Sequence, residues 1–189
     1  TTLLAKDFIN VETPLLIANS DQWVDWSPSH FIDYVNRHSV DGAMLTFVGD
    51  SDKFSYAKID KDNFVTEVAE KRVISNHATV GIYYWRSGQE YVECAEEMIS
   101  RNIRYNNEFY VCPVYNVLFE RQGKALIYPV PRMLGMGTPE ELDYFLEKTR
   151  IDASVKIFRR RVDIDKYILC EYELGSKTTL RDAAWALAI

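Results

Sequence analysis

The sequence has no apolar run near the length of a membrane span and no basic-then-apolar leader at its start. A helix needs about 20 apolar residues to cross a bilayer, so neither an integral membrane protein nor an exported one is expected. Cysteine is scarce: Cys94, Cys112 and Cys170 are odd in number and far apart. They build neither a disulfide framework nor a paired-cysteine metal knuckle, a usage that fits a reducing compartment and makes the cytoplasm the expected location. Basic residues are in deficit, 22 Lys and Arg against 28 Asp and Glu for a net charge of -6, so a basic face for nucleic acid is not expected. There is no GxSxG, no P-loop and no GxGxxG. His30, His38 and His77 lack metal-ligand spacing and read as ordinary surface or half-buried histidines. No nucleophilic triad can be assembled from these residues, and no internal repeat is visible.

What is there is a chain of 189 residues, 47% hydrophobic and 26% charged, enough for one ordinary domain with a proper core. Its organising stretch is residues 14–26, PLLIANSDQWVDW. The apolar residues 15–18, closed by Asn19-Ser20-Asp21, read as a buried strand of a parallel sheet. Asp21 falls just past the carboxyl end of that strand, where open α/β sheets bind ligands and metals. A loop carboxylate making a turn hydrogen bond fits the same position. Ser27-Pro28 then gives an N-cap and a proline at the first helical position, opening a helix to His38 with Phe31, Ile32, Tyr34 and Val35 inward.

Further along, residues 43–48 read as a second buried strand. Residues 55–59 and 64–69 read as two short strands around a hairpin turn at residues 60–63. Residues 78–85, ATVGIYYW, are rich in β-formers, and the internal Gly81 marks a bulge or a close approach of backbone. Residues 90–103 form the clearest helical pattern, with Val92, Ala95, Ile99 and Ile103 on one face. Pro113 opens a helix closed by Gly123, and residues 126–130 read as another strand. Thr138-Pro139-Glu140-Glu141 is a capping box opening a helix through Lys148, with Leu142, Phe145 and Leu146 inward. Residues 1–9 read as an amphipathic helix, with Leu4, Phe8 and Ile9 at helical spacing and no methionine before them. The aromatic stretches Tyr83-Tyr84-Trp85 and Phe109-Tyr110 read as core. The candidate chemistry is a set of charges at strand ends, Asp21, Glu70 with Lys71, and Glu108, expected to converge on one edge of the sheet.

ANSDQ at residues 18–22, TEVAEK at 66–71, ATVGIYYW at 78–85, NNEFYVCPVYN at 106–116 and GMGTPEEL at 135–142 occur in that order. Together they resemble the sugar-phosphate nucleotidyltransferases, or nucleoside-diphosphate-sugar pyrophosphorylases, over roughly residues 1–148. The nearest branch accompanies capsule and lipopolysaccharide synthesis and includes a cytidylyltransferase acting on phosphoglutamine. The resemblance implies a GT-A-like, Rossmann-type mixed sheet flanked by helices, lacking its first strands. It implies transfer of a nucleoside monophosphate from a nucleoside triphosphate to a phosphorylated small-molecule acceptor, with release of pyrophosphate. Asp21 then holds Mg²⁺ on the triphosphate, and Lys71 meets the acceptor's phosphate as a point charge. Glu70 contacts its hydroxyls, while Asn19, Gly81 and Glu108 complete substrate binding.

Two departures qualify the match. Where many members carry a second metal-binding aspartate, two residues before the glycine of the Gly137-Thr138 turn, this chain has Gly135. The family's glycine-rich nucleotide loop, GxGxR with a following Pro-Lys, is not in the sequence either, so the chain by itself is expected to be inactive. A non-catalytic ligand-binding or regulatory domain is therefore the competing expectation. A glycosyltransferase would need an Asp-x-Asp motif, which Asp21-Gln22-Trp23 does not supply. Residues 1–149 are expected to form the nucleotidyltransferase domain and residues 150–189 a separate segment. Homo-oligomerisation is left open.

Overall fold

Nine residues, His77–Trp85, form the strand around which the others are arranged. The computed structural model describes residues 2–9 and 13–149. In chain order they form a 3-10 helix (Thr2–Phe8), β1 (Leu15–Ala18), β2 (Gln22–Val24), α1 (Pro28–His38), β3 (Gly42–Val48), β4 (Tyr56–Ile59) and β5 (Val65–Ala69). The central strand is β6. After it come α2 (Gly88–Ser100), α3 (Val114–Glu120), β7 (Ala125–Pro129), β8 (Met133–Gly135) and α4 (Pro139–Thr149). The described residues divide into two compact units, 2–9 and 13–19 with 24–133, and 20–23 with 134–149. The expected boundary at Arg150 lies outside the described residues. No helix among them is long and apolar enough to cross a membrane.

In the larger unit the sheet order is β5-β4-β6-β3-β7, with β1 also paired to β6. It is a mixed sheet: β3 and β7 are parallel, and the other pairings are antiparallel. Every residue of β6 after His77 is buried, because both faces are covered. Tyr83 and Trp85 enter a core with Tyr91, Cys94, Ala95 and Met98 of α2 and Val114, Tyr115, Val117 and Leu118 of α3. Val80, Ile82 and Tyr84 enter a second core with Phe31 and Val35 of α1. Alternation along the strand thus feeds two helical layers, one on each side of the sheet. Burying each large side chain there contributes roughly 1.5–3 kcal/mol.

The structure corrects several sequence expectations. β1 is neither fully buried nor in a parallel pair. It runs antiparallel to β6, and its residues alternate between half-buried and exposed. A short apolar run is equally at home on a sheet edge, and periodicity over four residues cannot tell the two apart. Since β3 also runs antiparallel to β6, β1 and β3 share a direction, as a βαβ unit requires, but β6 lies between them. The first residues form a 3-10 helix in which Leu4 and Phe8 are exposed (87% and 89%), while Leu3 and Ile9 pack on the core. On α2 the buried face is Tyr91, Cys94, Ala95 and Met98 and Ile99 is exposed, and the helix stops at Ser100, leaving the exposed Ile103 beyond its end. Ile32 of α1 and Leu142 and Leu146 of α4 are exposed as well.

Local expectations fared better. Ser27 Oγ accepts from His30 N–H at 3.4 Å and caps α1. The hairpin between β4 and β5 turns on Asp60, whose Oδ1 accepts from Asp62 N–H at 2.8 Å and Phe64 N–H at 3.0 Å, with Asn63 left-handed. Thr138 Oγ1 accepts from Glu141 N–H at 3.2 Å at the start of α4.

One buried aromatic locks the centre of the sheet to the helices. Tyr115 of α3 lies stacked on Trp85, ring centroids 4.5 Å apart. Its hydroxyl is shared between the carbonyls of Tyr84 at 2.7 Å and Ala43 at 3.0 Å, on adjacent strands. The ring needs the glycine beneath it, because a Cβ at Gly42 would stand 2.5 Å from Tyr115 Cε1. Tyr115→Phe removes the hydroxyl and leaves those buried acceptors one donor short. The expected cost is about 1–2 kcal/mol, a fall of roughly 2–8 °C in the thermal midpoint at this chain length. Calorimetry that finds the midpoint unchanged would remove this lock from the account.

Candidate functional site

The strand registers open a gap along one edge of β6. β1 pairs with the upper part of the strand, Leu15 opposite Trp85 and Ala18 opposite Ile82. β4 pairs with the lower part, Tyr56 opposite Ala78. Between them Thr79, Val80 and Gly81 have no strand on that side. Gly81 is left-handed, φ 73°, and the β3–β6 register shifts beside it, between Met44 and Thr46. The bulge read from its glycine is there.

Two chain segments run toward this level of the sheet from opposite directions, β1 beside β6 and β5 one strand further out, beside β4. β1 runs down β6 and delivers Asn19, whose N–H donates to Gly81 carbonyl at 3.0 Å. The Asn19 carboxamide covers Gly81 so closely that a Cβ there would lie 2.3 Å from Nδ2. β5 runs up, with Ala69 opposite Tyr56, and delivers Glu70 and Lys71 just past its end. The charges were expected at the shared carboxyl edge of a parallel sheet. Instead β1 and β5 are antiparallel to each other, and β4 stands between β5 and β6.

Glu70 is half-buried and held by Ser55, whose Oγ donates to Glu70 Oε2 at 2.5 Å. The Ser55 carbonyl in turn accepts from Thr79 N–H at 2.8 Å, tying the carboxylate to β6. Burial pushes the Glu70 carboxyl above its ordinary pKa, and Ser55 and the Lys71 charge pull it partly back. Lys71 has a left-handed backbone, φ 49°, uncommon for a lysine. Its Nζ donates to Tyr110 Oη at 3.0 Å, and Tyr110 Oη donates to Glu108 Oε2 at 2.5 Å. The hydrogen bond to Tyr110, with the nearby carboxylates of Glu70 and Glu108, holds Lys71 above the usual lysine range. Thus Glu70, Lys71 and Glu108 lie in one neighbourhood. A cleft of about 290 Å³ is lined there by Glu70, Arg72, Arg104, Tyr105, Glu108 and Tyr110, among others. Gly81 and Asn19 are not among its lining residues, and neither is Lys71, which stands against its two tyrosines.

The smaller unit carries Asp21. Met136 N–H donates to Asp21 carbonyl at 2.7 Å, and the exposed carboxylate stands over Gly137, where a Cβ would be 2.9 Å from Asp21 Oδ2 and 3.6 Å from Glu141 Oε2. A Cβ at Gly135 would be 2.9 Å from Glu141 Oε2. Glu141 reaches back to accept from Gly137 N–H at 3.2 Å. The two glycines of GMG therefore leave room for two carboxylates, and the space at Gly135 is occupied by the carboxylate of Glu141. No cluster of three or more His, Cys, Asp or Glu side chains suited to a metal occurs among the described residues.

Sequence reasoning missed Ser55, Tyr105, Tyr110 and Glu141. Tyr110 was placed in the core with Phe109. Only Phe109 packs there, whereas Tyr110 turns its hydroxyl to the charges. The legible signal was Asn106-Asn107, a dipeptide suited to a tight turn with two left-handed residues. Among the described residues the two thiols offer no nucleophile: burial pushes Cys94 up to about 11 and Cys112 up to about 12, so both stay protonated at neutral pH.

No protein-family model and no curated protein matches the chain. Solved structures do. A nucleoside-diphosphate-sugar pyrophosphorylase from Vibrio cholerae superposes with a TM-score of 0.65 at 25% identity, over 76% of this chain and 60% of its own. A structure assigned as a glucose-1-phosphate thymidylyltransferase from Bacillus anthracis, in complex with sucrose, gives 0.60 at 16% identity, over 75% and 56%. The second likeness shows the fold alone. The first supports the sugar nucleotidyltransferase family. This chain spans a little under two thirds of each.

Glu70 generates a pH test. Because its pKa is raised in the folded chain, the folded state holds that proton more tightly than the unfolded one. The stabilisation is full below the ordinary glutamate range and is lost as pH rises through the raised value. Glu70→Gln keeps an acceptor for Ser55 but removes the titration. Relative to wild type, its thermal midpoint is expected to be unchanged near pH 4 and a few degrees higher near pH 7, where about 1 kcal/mol moves the midpoint about 2–4 °C. A difference that is the same at both pH values would rule out this linkage.

Proposed function

We propose that this chain supplies the acceptor-binding and metal-binding parts of a sugar-phosphate nucleotidyltransferase. The observation that supports the reading is the cluster of Glu70, Lys71, Tyr110 and Glu108 past the end of β5, with Glu70 tied through Ser55 to β6, in a fold shared with a nucleoside-diphosphate-sugar pyrophosphorylase. In the reaction a phosphate oxygen of the acceptor forms a bond to the α-phosphorus of the nucleoside triphosphate. The bond from that phosphorus to the bridging oxygen breaks, and pyrophosphate leaves with the electron pair. Such a transfer depends on neutralised charge and alignment more than on a covalent intermediate.

Each side chain has a part in that scheme. The Lys71 ammonium, one N–H committed to Tyr110 and two remaining, meets the acceptor's phosphate. Glu70, fixed by Ser55, accepts hydrogen bonds from the acceptor's hydroxyls. Glu108 adds a second carboxylate on the same cleft, and Asn19 and Gly81 present an amide and backbone at the gap. Asp21 and Glu141 would hold Mg²⁺. Two carboxylates and no nitrogen or sulfur donor suit a hard ion that completes its shell with waters and substrate phosphates, and the two glycines keep the space open. When bound, Mg²⁺ would neutralise charge on the triphosphate. The sequence motifs further support an acceptor belonging to surface-polysaccharide precursor synthesis, in the branch that includes the phosphoglutamine cytidylyltransferase, and a cytoplasmic setting.

Steady-state kinetics in the protein that carries this chain tests both charges. Asp21→Asn is expected to lower turnover on the order of a hundredfold or more with little change in thermal midpoint, since an exposed carboxylate supports little packing. Mg²⁺-dependent rates near wild type would rule out Asp21 as the ligand. Lys71→Ala is expected to raise the Michaelis constant for the phosphorylated acceptor about tenfold to a hundredfold and that for the triphosphate much less. Equal effects on both would mean general damage to the site.

A further inference from the structure

Tyr105 and Glu108 close a two-residue turn: Tyr105 N–H donates to Glu108 carbonyl at 3.0 Å, and Glu108 N–H to Tyr105 carbonyl at 2.9 Å. The two residues between them, Asn106 and Asn107, are both left-handed, φ 47° and 63°. Two consecutive positive φ values mark a type I′ turn, and asparagine adopts them at low cost. The turn sets Tyr105 beside Glu108, and Tyr110 follows two residues on. The rings of Tyr105 and Tyr110 meet edge to face, centroids 6.4 Å apart.

Into this aromatic corner comes Lys71 from the end of β5, on its left-handed backbone. Its Nζ stands 5.0 Å from the centroid of Tyr110 and 6.0 Å from that of Tyr105. Such contacts favour the charged ammonium. No ion pair joins Lys71 to Glu70 or Glu108 among the described residues. Between ammonium and carboxylate stands the Tyr110 hydroxyl, accepting from Lys71 and donating to Glu108. A phenol is suited to this place because it can do both at once. A direct ion pair would spend the positive charge on Glu108. The interposed phenol holds the ammonium in place and leaves its charge available to an anion.

We propose that Tyr110 is a positioning residue, its hydroxyl fixing the Lys71 ammonium relative to Glu108 so that the two free N–H groups of Lys71 present to a phosphate monoester. This rests on the reading that Lys71 meets the acceptor's phosphate. Packing alone does not account for the arrangement. A lysine in a left-handed conformation carries backbone strain, and the hydroxyl could be absent without opening a cavity.

The test is a double-mutant cycle on binding of glucose 1-phosphate, with wild type, Tyr110→Phe, Lys71→Ala and the double variant. Affinity comes from calorimetric titration and Lys71 itself from its ε-ammonium NMR signal. Tyr110→Phe keeps the ring, so the thermal midpoint is expected to hold. Affinity is expected to fall about three- to tenfold, the scale of one hydrogen bond, and the Lys71 titration to move down toward the ordinary lysine value. In the Lys71→Ala background, Tyr110→Phe is expected to change nothing further, because its effect runs through the ammonium. Unchanged affinity, or a loss that persists without Lys71, overturns the proposal, as does an unmoved Lys71 titration. A wild-type chain that binds no glucose 1-phosphate overturns the phosphate reading instead. The Lys71 titration in Tyr110→Phe then still decides whether the phenol holds the ammonium.

Discussion

The burial of β6 on both faces is the constraint on which the rest depends. A strand with helices on each side must be apolar on alternate residues in both directions, and its edges must be paired or left for a purpose. β3 pairs along one edge from Gly42 opposite Trp85 to Val48 opposite His77, interrupted by the register shift between Met44 and Thr46. The other edge is shared by two partners that stop short of each other, β1 at Ile82 and β4 at Ala78. Gly81 sits in the interval with a backbone that a residue bearing a Cβ would adopt only with strain. The gap is therefore a product of register. Because the strand is held by two cores, the gap has rigid walls.

The groups past the end of β5 and on the turn at residues 105–108 are charged, so what holds each of them matters. Glu70 is pulled from water by its position, which raises its carboxyl, and it is kept from wandering by Ser55. Lys71 is held by a phenol that in turn holds Glu108. Each charge thus has a neutral hydroxyl as its nearest partner, which orients it without cancelling it. The exposed Arg72–Glu67 pair at 2.9 Å is the opposite arrangement. There two charges neutralise each other in solvent, worth about 0–1 kcal/mol. A hydroxyl partner leaves a charge unspent, whereas an ion pair does not.

The smaller unit follows the same economy with different means. Asp21 and Glu141 are kept open by glycines rather than braced by hydroxyls. Glu141 arrives through helix capping: Thr138 fixes the helix start, and the glutamate three residues on turns back over the glycines. A capping box leaves its carboxylate with lone pairs to spare. One residue can therefore both start α4 and line the space that Gly135 leaves empty.

The sequence by itself determined what depends on neighbours along the chain. The Ser27 cap of α1, the Asp60 hairpin, the Gly81 bulge and the capping box at Thr138 were legible, because each is a hydrogen bond or a φ preference spanning a few residues. The mixed α/β class was legible too, as was the place of Glu70 and Lys71 just past a strand end, whereas Glu108, expected at a strand end, closes a turn. Only the tertiary structure decided that β1 is an antiparallel edge strand, that α2 buries Tyr91 and Met98 rather than Ile99, and that Leu4 and Phe8 face solvent. An apolar run or stripe states that something is to be buried. It does not state which partner will cover it, since that depends on strands far away in the chain. The partners of the site residues were hidden for the same reason. Ser55 lies 15 residues from Glu70, and Tyr110 lies 39 from Lys71. A hydroxyl that will orient a charge looks in sequence like any other serine or tyrosine until the sheet brings the two together.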